Sequence, residues 1–343
     1  MKRLTRIQRA QRRRGGSVPR ALRGPTVTEI KILLNGSGAF ALPAFSAVHA
    51  DPNFDIVAVV SAAPRAAGRS GEPQSTPVAE WARGEGLDLL ETGRLRDAAT
   101  LETLMQLGAA VGLLADFGQI VPGTLIDALP GGILNLHPSL LPKFRGASPI
   151  PATILAGDRE TGVSTILMDV GLDTGPLLNV QRYALKGDEQ SPALEGRLAD
   201  LASEEIVATI KRHLKGKLDP TPQSPDGVSL TKRLTRADGF VDSTFTADDA
   251  YRAWRAYRPW PGVWVSVAPT LERLILDEVG EPRRDIQVEA GHFVLHEGSL
   301  MLGLQDGALP LLQVTPTGGR RMGGGELVRG RPELLAPHAR ISA

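Results

Sequence analysis

Five short apolar runs, separated by stretches of helical character, constrain what this chain can fold into more than any other feature. Ile30–Leu34, Asp55–Ser61, Leu87–Leu90, Ala110–Ala115 and Gly132–Leu136 are largely apolar rather than alternating, as strands buried on both faces are. Between them the pattern predicts a helix ending near Ala50, helices at Pro77–Gly86 and Ala98–Leu107, and a short helix after Pro122. Strands that recur with a helix between them join by crossovers and lie parallel. The fold class expected is therefore α/β, a doubly wound and mostly parallel sheet. Three further elements extend it: a helix at Pro149–Ala156, a strand at Gly162–Asp169 and a long amphipathic helix at Pro192–Lys215. That last helix gathers Leu194, Leu198, Leu201 and Ile206 on one side. This first domain is assigned to residues 29–215.

A chain of 343 residues has room for a second domain. Residues 216–228, with Pro220, Pro222 and Pro225, read as a semi-rigid linker. The segment 229–337 changes style. A basic start and a helix at Thr246–Ala256 lead into several short strands running to about Val314, the pattern of a small OB-like β-barrel. Residues 1–28 carry many Arg and Lys before the first acid and are expected to be a disordered extension. The same charge run also fits a phosphate-gripping arm or a mitochondrial transit peptide. The absence of cysteine removes disulfides and thiolate chemistry, and no apolar run is long enough to span a membrane. A net charge of +1 sets up no global field for a polyanion, so nucleic-acid contact would rest on local patches.

Candidate chemistry concentrates at residues 133–149. Side chains two apart on a strand share a face, so Asn135 and His137 present an amide and an imidazole together, and Pro138 ends the strand behind them. They stand at a strand C-terminus, where open α/β sheets place their ligands. An amide can donate to a developing oxyanion, and an imidazole can donate or carry a proton. Downstream, Met168–Gly175 places Asp173 in a turn-forming stretch. A carboxylate brought up to His137 would set its tautomer. A different chemistry is suggested by Gly36-x-Gly38-x-x-Ala41. This spacing fits a dinucleotide turn, with Asp55 as the ribose-binding acid, although glycines at such turns are common without any nucleotide.

Taken together, Asn135-x-His137, Ser139-Leu-Leu-Pro142, Arg145-Gly146, Gly157-Asp-x-Glu-Thr-Gly-Val163 and Leu172-Asp-Thr-Gly175 resemble the folate-dependent formyltransferases over roughly residues 30–335. The loop Pro64-Arg-x-Ala-Gly-Arg69 and the run Arg258-Pro-Trp-Pro-Gly262 are similar to the branch of that family acting on methionyl-tRNA. The loop is less basic than the family pattern, reading Ser70-Gly-Glu-Pro where lysines would be expected. The resemblance implies catalysis by Asn135, His137 and Asp173, and folate contacts from Ser139, Leu140, Leu141 and Pro142. It further implies tRNA contacts from Arg65 and Arg69 and, more weakly, tRNA or folate contacts from Lys143, Arg145 and Arg258. Its co-substrate would be 10-formyltetrahydrofolate, with no metal. Initiator methionyl-tRNA would be the acceptor, and the protein a cytoplasmic monomer without membrane attachment. Formylation of a sugar nucleotide and a non-catalytic tRNA-binding role are the alternatives. A dehydrogenase would leave the 133–175 pattern unexplained.

Overall fold

The computed structural model describes residues 29–66, 71–269 and 272–342. The basic extension 1–28 and Arg69 lie outside the described residues. The chain divides into two compact units, each assembled from several segments. The first comprises residues through His137, Ser164–Val180 and Ala199–Gln223. The second comprises Pro138–Val163, Gln181–Leu198 and the chain from Ser224 onward.

The first unit is organised on a seven-stranded sheet. In chain order its elements are β1 (Ile30–Gly36), α1 (Leu42–Ala50), β2 (Phe54–Ala62), α2 (Pro77–Gly84), β3 (Leu89–Thr92) and α3 (Ala98–Gln106). Then come β4 (Val111–Ala115), α4 (Gly123–Ala128) and β5 (Ile133–His137); α5 (Pro149–Ala156) follows in the second unit, and β6 (Glu160–Leu167), β7 (Leu177–Ala184) and α6 (Ser191–Leu214) are each divided between the two units. The strand order is β7-β6-β5-β4-β1-β2-β3. Strands β1 to β5 run parallel, and β6 is antiparallel to β5. The chain builds outward from β1 through β2 to β3, then returns to lay β4 and β5 on the other side of β1. That reversal is a topological switch point.

The apolar runs explain the placement. All five residues of β4 and all five of β5 are buried, as are Ile32, Leu33 and Leu34 of β1. On one face, Leu33, Val60, Leu114 and Ile133 pack with Leu104 of α3, Leu125 of α4 and the loop residues Phe117 and Val121. Each such side chain contributes about 1.5–3 kcal/mol through burial. Helix starts follow their local chemistry. The Thr76 hydroxyl accepts from the Ala79 amide at the head of α2, and Pro77 sits where a missing N–H costs nothing. Strand β7 was not expected from the sequence. Its Asn179, Gln181 and Arg182 interrupt any apolar run because it forms an edge of the sheet.

The second unit contains α5, the start of β6, the end of β7 and the C-terminal sheet. The loop after Pro142 is zipped onto the segment that follows the linker. Phe144 and Arg145 donate backbone N–H to the Ser229 hydroxyl and carbonyl, and Arg145–Gly146 pairs in parallel with Leu230–Thr231. Further on come α7 (Ala247–Ala256), β8 (Trp264–Val267), β9 (Glu272–Val279), β10 (Phe293–His296), β11 (Ser299–Leu304), β12 (Gly307–Pro316) and α8 (Gly324–Gly330). The antiparallel order is β8-β9-β12-β11-β10, and register shifts around Glu278 bend β9. Residues 340–341 bridge the two edges. Ile341 pairs with Val267 of β8, and Arg340 pairs with His292 beside β10, so the sheet curls into the expected barrel-like domain. Its core joins Trp254 of α7 to Val265, Leu276, Leu302 and Leu309, and Leu155 of α5 packs against the same cluster.

Among the described residues no helix is long and apolar enough to cross a membrane.

Candidate active site

Two residues of the proposed trio come from β5, and the third comes from the turn that follows β6. Asn135 is 6% exposed and His137 5% exposed at the end of a central strand, each paired across to β6 through Ile166 and Ser164. The turn from Asp169 to Gly175 is tightly made. Asp169 Oδ1 accepts from the Gly171 amide at 3.0 Å and from the Thr174 hydroxyl at 2.6 Å, a local side-chain closure of the backbone. Gly175 lies so close to β6 that a Cβ there would sit 1.9 Å from the Leu167 carbonyl oxygen. Within this turn Asp173 adopts φ +52°, the left-handed region that Asp and Asn tolerate better than most residues.

The structure brings the three side chains together. Asn135 Nδ2 donates to Asp173 Oδ1 at 3.1 Å, and His137 Nδ1 lies 3.7 Å from Asp173 Oδ2. One carboxylate thus addresses an amide with one oxygen and an imidazole with the other. The second contact is longer than a hydrogen bond. It turns Nδ1 toward the acid, so Nε2 is the imidazole nitrogen directed away from it.

Sequence reasoning overlooked the apolar surface that accompanies the trio. Val170 and Leu172, on the Asp173 turn, are 86% and 59% exposed, and Ile120, in the loop after β4, is 84% exposed. The two segments approach each other: a Cβ on Gly123 would lie 3.1 Å from Val170 Cγ1. Large aliphatic side chains in Gly- and Pro-flanked loops were the available signal, since loop tips ordinarily carry polar residues.

The other predicted positions have contacts of their own. Ser139 is buried, and its hydroxyl donates to the Lys143 carbonyl at 2.7 Å, holding its own loop. Leu141 is buried, while Leu140 and Pro142 are half-buried. Lys143 pairs with Asp158 at 3.1 Å. Arg258 lies over Trp254 and donates to the Asp277 carbonyl at 2.7 Å, a packing role inside the C-terminal domain. Arg65 is exposed on a two-residue antiparallel pair, Arg65–Ala66 with Pro73–Gln74.

The dinucleotide reading of Gly36–Ala41 fails on geometry. The Ser37 and Gly38 amides that would face a pyrophosphate donate instead to the Asp116 carbonyl, at 2.9 and 3.2 Å. The Asp116 carboxylate itself occupies the space where a Gly38 Cβ would be. Asp55 pairs with Lys31 near the N-terminal end of β2, the opposite end of the sheet from that turn.

Comparison with known proteins agrees with this geometry. Residues 29–210 match the formyl transferase family, and residues 233–332 match the formyl transferase C-terminal domain. A methionyl-tRNA formyltransferase of Thermus thermophilus is 38% identical over 314 residues, covering 91% of this chain and 99% of that protein. One from Myxococcus xanthus is 33% identical over 307 residues, covering 90% and 96%. The fold is shared with a Helicobacter canadensis N-formyltransferase solved with folinic acid and dTDP-3-aminofucose. That likeness has a TM-score of 0.62 at 16% identity and covers 82% of this chain and 98% of the other. With both domains matched and nearly the whole length of its relatives spanned, the chain belongs to the methionyl-tRNA formyltransferase family.

Proposed function

We propose that the protein transfers the formyl group of 10-formyltetrahydrofolate to the amino group of methionine carried on initiator tRNA, in the cytoplasm. The observation that supports this best is the shared carboxylate of Asp173, which presents Asn135 and His137 side by side within a formyltransferase framework.

The amine attacks the formyl carbonyl carbon, and the carbonyl oxygen takes on negative charge. The Asn135 amide has two N–H groups. One is directed at Asp173, and the other serves the oxyanion. His137, with Nδ1 turned to the acid, offers Nε2 to the same oxygen. Asp173 offsets the charge on His137 and relays the proton lost by the incoming amine toward the departing folate nitrogen. Collapse of the intermediate breaks the bond to that nitrogen and leaves formylmethionyl-tRNA.

Ile120, Val170 and Leu172 give the flat faces of the folate rings an apolar surface beside the carboxylate, leaving the polar ring edge to other groups. Ser139–Pro142, which follow His137 in the chain, supply backbone groups and the Leu140 side chain to the same co-substrate. Arg65 and Arg69 reach phosphates of the acceptor stem, positioning the tRNA rather than reading its bases.

The test is formylation of charged initiator tRNA with 10-formyltetrahydrofolate, compared with uncharged tRNA and an amino sugar nucleotide. Transfer to the charged tRNA alone is expected. Transfer to the sugar nucleotide would move the acceptor, and no transfer to any acceptor would refute the reading.

A further inference from the structure

The catalytic turn is held from outside by a residue of the proline-rich linker. Gln223 Nε2 donates to the carbonyl of Asp173 at 2.8 Å and to the carbonyl of Gly175 at 2.7 Å, so both hydrogens of one amide nitrogen are committed to this turn. The delivery of Gln223 is itself built. Leu177, at the start of β7, exchanges two backbone hydrogen bonds with Thr221, at 2.7 and 2.9 Å, which fixes the linker two residues before Gln223. Pro222 lies between them and restricts the backbone that carries the amide.

The two accepting carbonyls both lie on the C-terminal side of the Asp173 Cα, one on Asp173 itself and one two residues on. Asp173 stands in the left-handed region, and its carboxylate must keep one oxygen on Asn135 and the other facing His137. Asp169 closes the turn through Gly171 and Thr174 without reaching the backbone of Asp173. A rotation about φ or ψ at residue 173 would swing the carboxylate away from one of its two partners. Gln223 opposes that rotation by fixing the carbonyl of the peptide that leaves Asp173 and the one two residues further on.

We propose that Gln223 is a positioning residue for formyl transfer: by clamping the carbonyls of Asp173 and Gly175 it holds the Asp173 carboxylate in register with Asn135 and His137. This rests on the functional reading above. Gln223 does not touch the reacting atoms, and it acts through Asp173.

Gln223→Met keeps the length of the side chain and removes both donors. Gln223→Glu keeps the shape but turns two donors into acceptors facing carbonyl oxygens. Single-turnover and steady-state formylation of charged initiator tRNA, with unfolding midpoints measured in parallel, separate positioning from folding. The expected result is a fall in kcat of about 10- to 100-fold, the cost of a misplaced catalytic group. KM for tRNA and for 10-formyltetrahydrofolate should stay within about twofold, because neither substrate loses a contact. In an Asp173→Asn background the Gln223→Met change should cost less than about threefold further, since residues acting as one unit are not additive.

Wild-type kcat in Gln223→Met overturns the inference. So does an undiminished extra loss in the Asp173→Asn background, which would place the effect elsewhere. Unfolding of both Gln223 variants at the assay temperature also overturns it, making the residue structural. Absence of transfer by the wild-type protein refutes the functional reading itself, and is distinct from all three.

Discussion

Replacing Asn135 with alanine tests the proposed chemistry most directly. The side chain is 6% exposed, and its amide donates to Asp173 Oδ1 at 3.1 Å. If the second N–H stabilises the tetrahedral oxyanion, its loss removes one preorganised donor, worth about 2.7–4 kcal/mol or a 10²–10³-fold fall in turnover. The bond to Asp173 adds a second, smaller loss. A hydrogen bond to a charged group contributes about 1.5–3 kcal/mol, but it exists before and after the chemical step and so acts on positioning more than on the barrier. Asn135→Ala should therefore lower kcat by at least about 100-fold while leaving KM for both substrates nearly unchanged. Asn135→Asp should be no better, because it sets a second carboxylate against Asp173 Oδ1 and lacks the donor. Single-turnover transfer from labelled 10-formyltetrahydrofolate to charged tRNA is the assay, with unfolding midpoints to confirm that both variants remain folded. A kcat within about threefold of wild type would sink the oxyanion assignment, since that is under 1 kcal/mol.

Three other outcomes follow from the geometry. Gly175→Ala should destabilise the fold by about 1–3 kcal/mol and depress kcat, because its Cβ would meet the Leu167 carbonyl 1.9 Å away; unchanged denaturation and turnover would mean the turn yields easily. Arg65→Ala should raise KM for tRNA several-fold without touching kcat and flatten the salt dependence of tRNA binding by about one phosphate contact; an unaltered salt slope would remove Arg65 from the interface. In Asp51, burial raises the carboxyl, but hydrogen bonds from Lys211 and Asn53 outweigh it and hold the group at about 2 instead of 3.8. That depressed value means a stabilising contribution fully present above pH 3.8 and lost as pH falls through about 2. Lys211→Met should therefore cost about 1 kcal/mol or less at pH 7, discounted for a partly solvated pair, and the gap to wild type in urea midpoints should close through that window. A gap that persists at the acid end would assign the loss to packing over Phe54 instead.

Much of this molecule is legible from its residues alone. Buried parallel strands carry continuous apolar runs, so β1, β4 and β5 stand out from the chain without any partner being known. The pairing of Asn135 with His137 is equally local, because strand periodicity and Pro138 act within a few residues. Edge strand β7 escaped notice because solvent lets polar side chains sit where a central strand would need apolar ones. Other features belong to the tertiary structure. Gly36 and Gly38 have the spacing of a nucleotide turn, yet the carbonyl of Asp116, just after β4, takes the Ser37 and Gly38 amides. The exposure of Ile120, Val170 and Leu172 depends on which loops the sheet brings to one edge. Gln223 looks like one more polar residue among linker prolines until Leu177 pairs with Thr221 and lays it on the turn that carries Asp173. Periodicity reports what a residue's near neighbours demand of it. Hydrogen bonds between distant backbone segments leave no such trace, because any residue can supply the N–H and the carbonyl that make them.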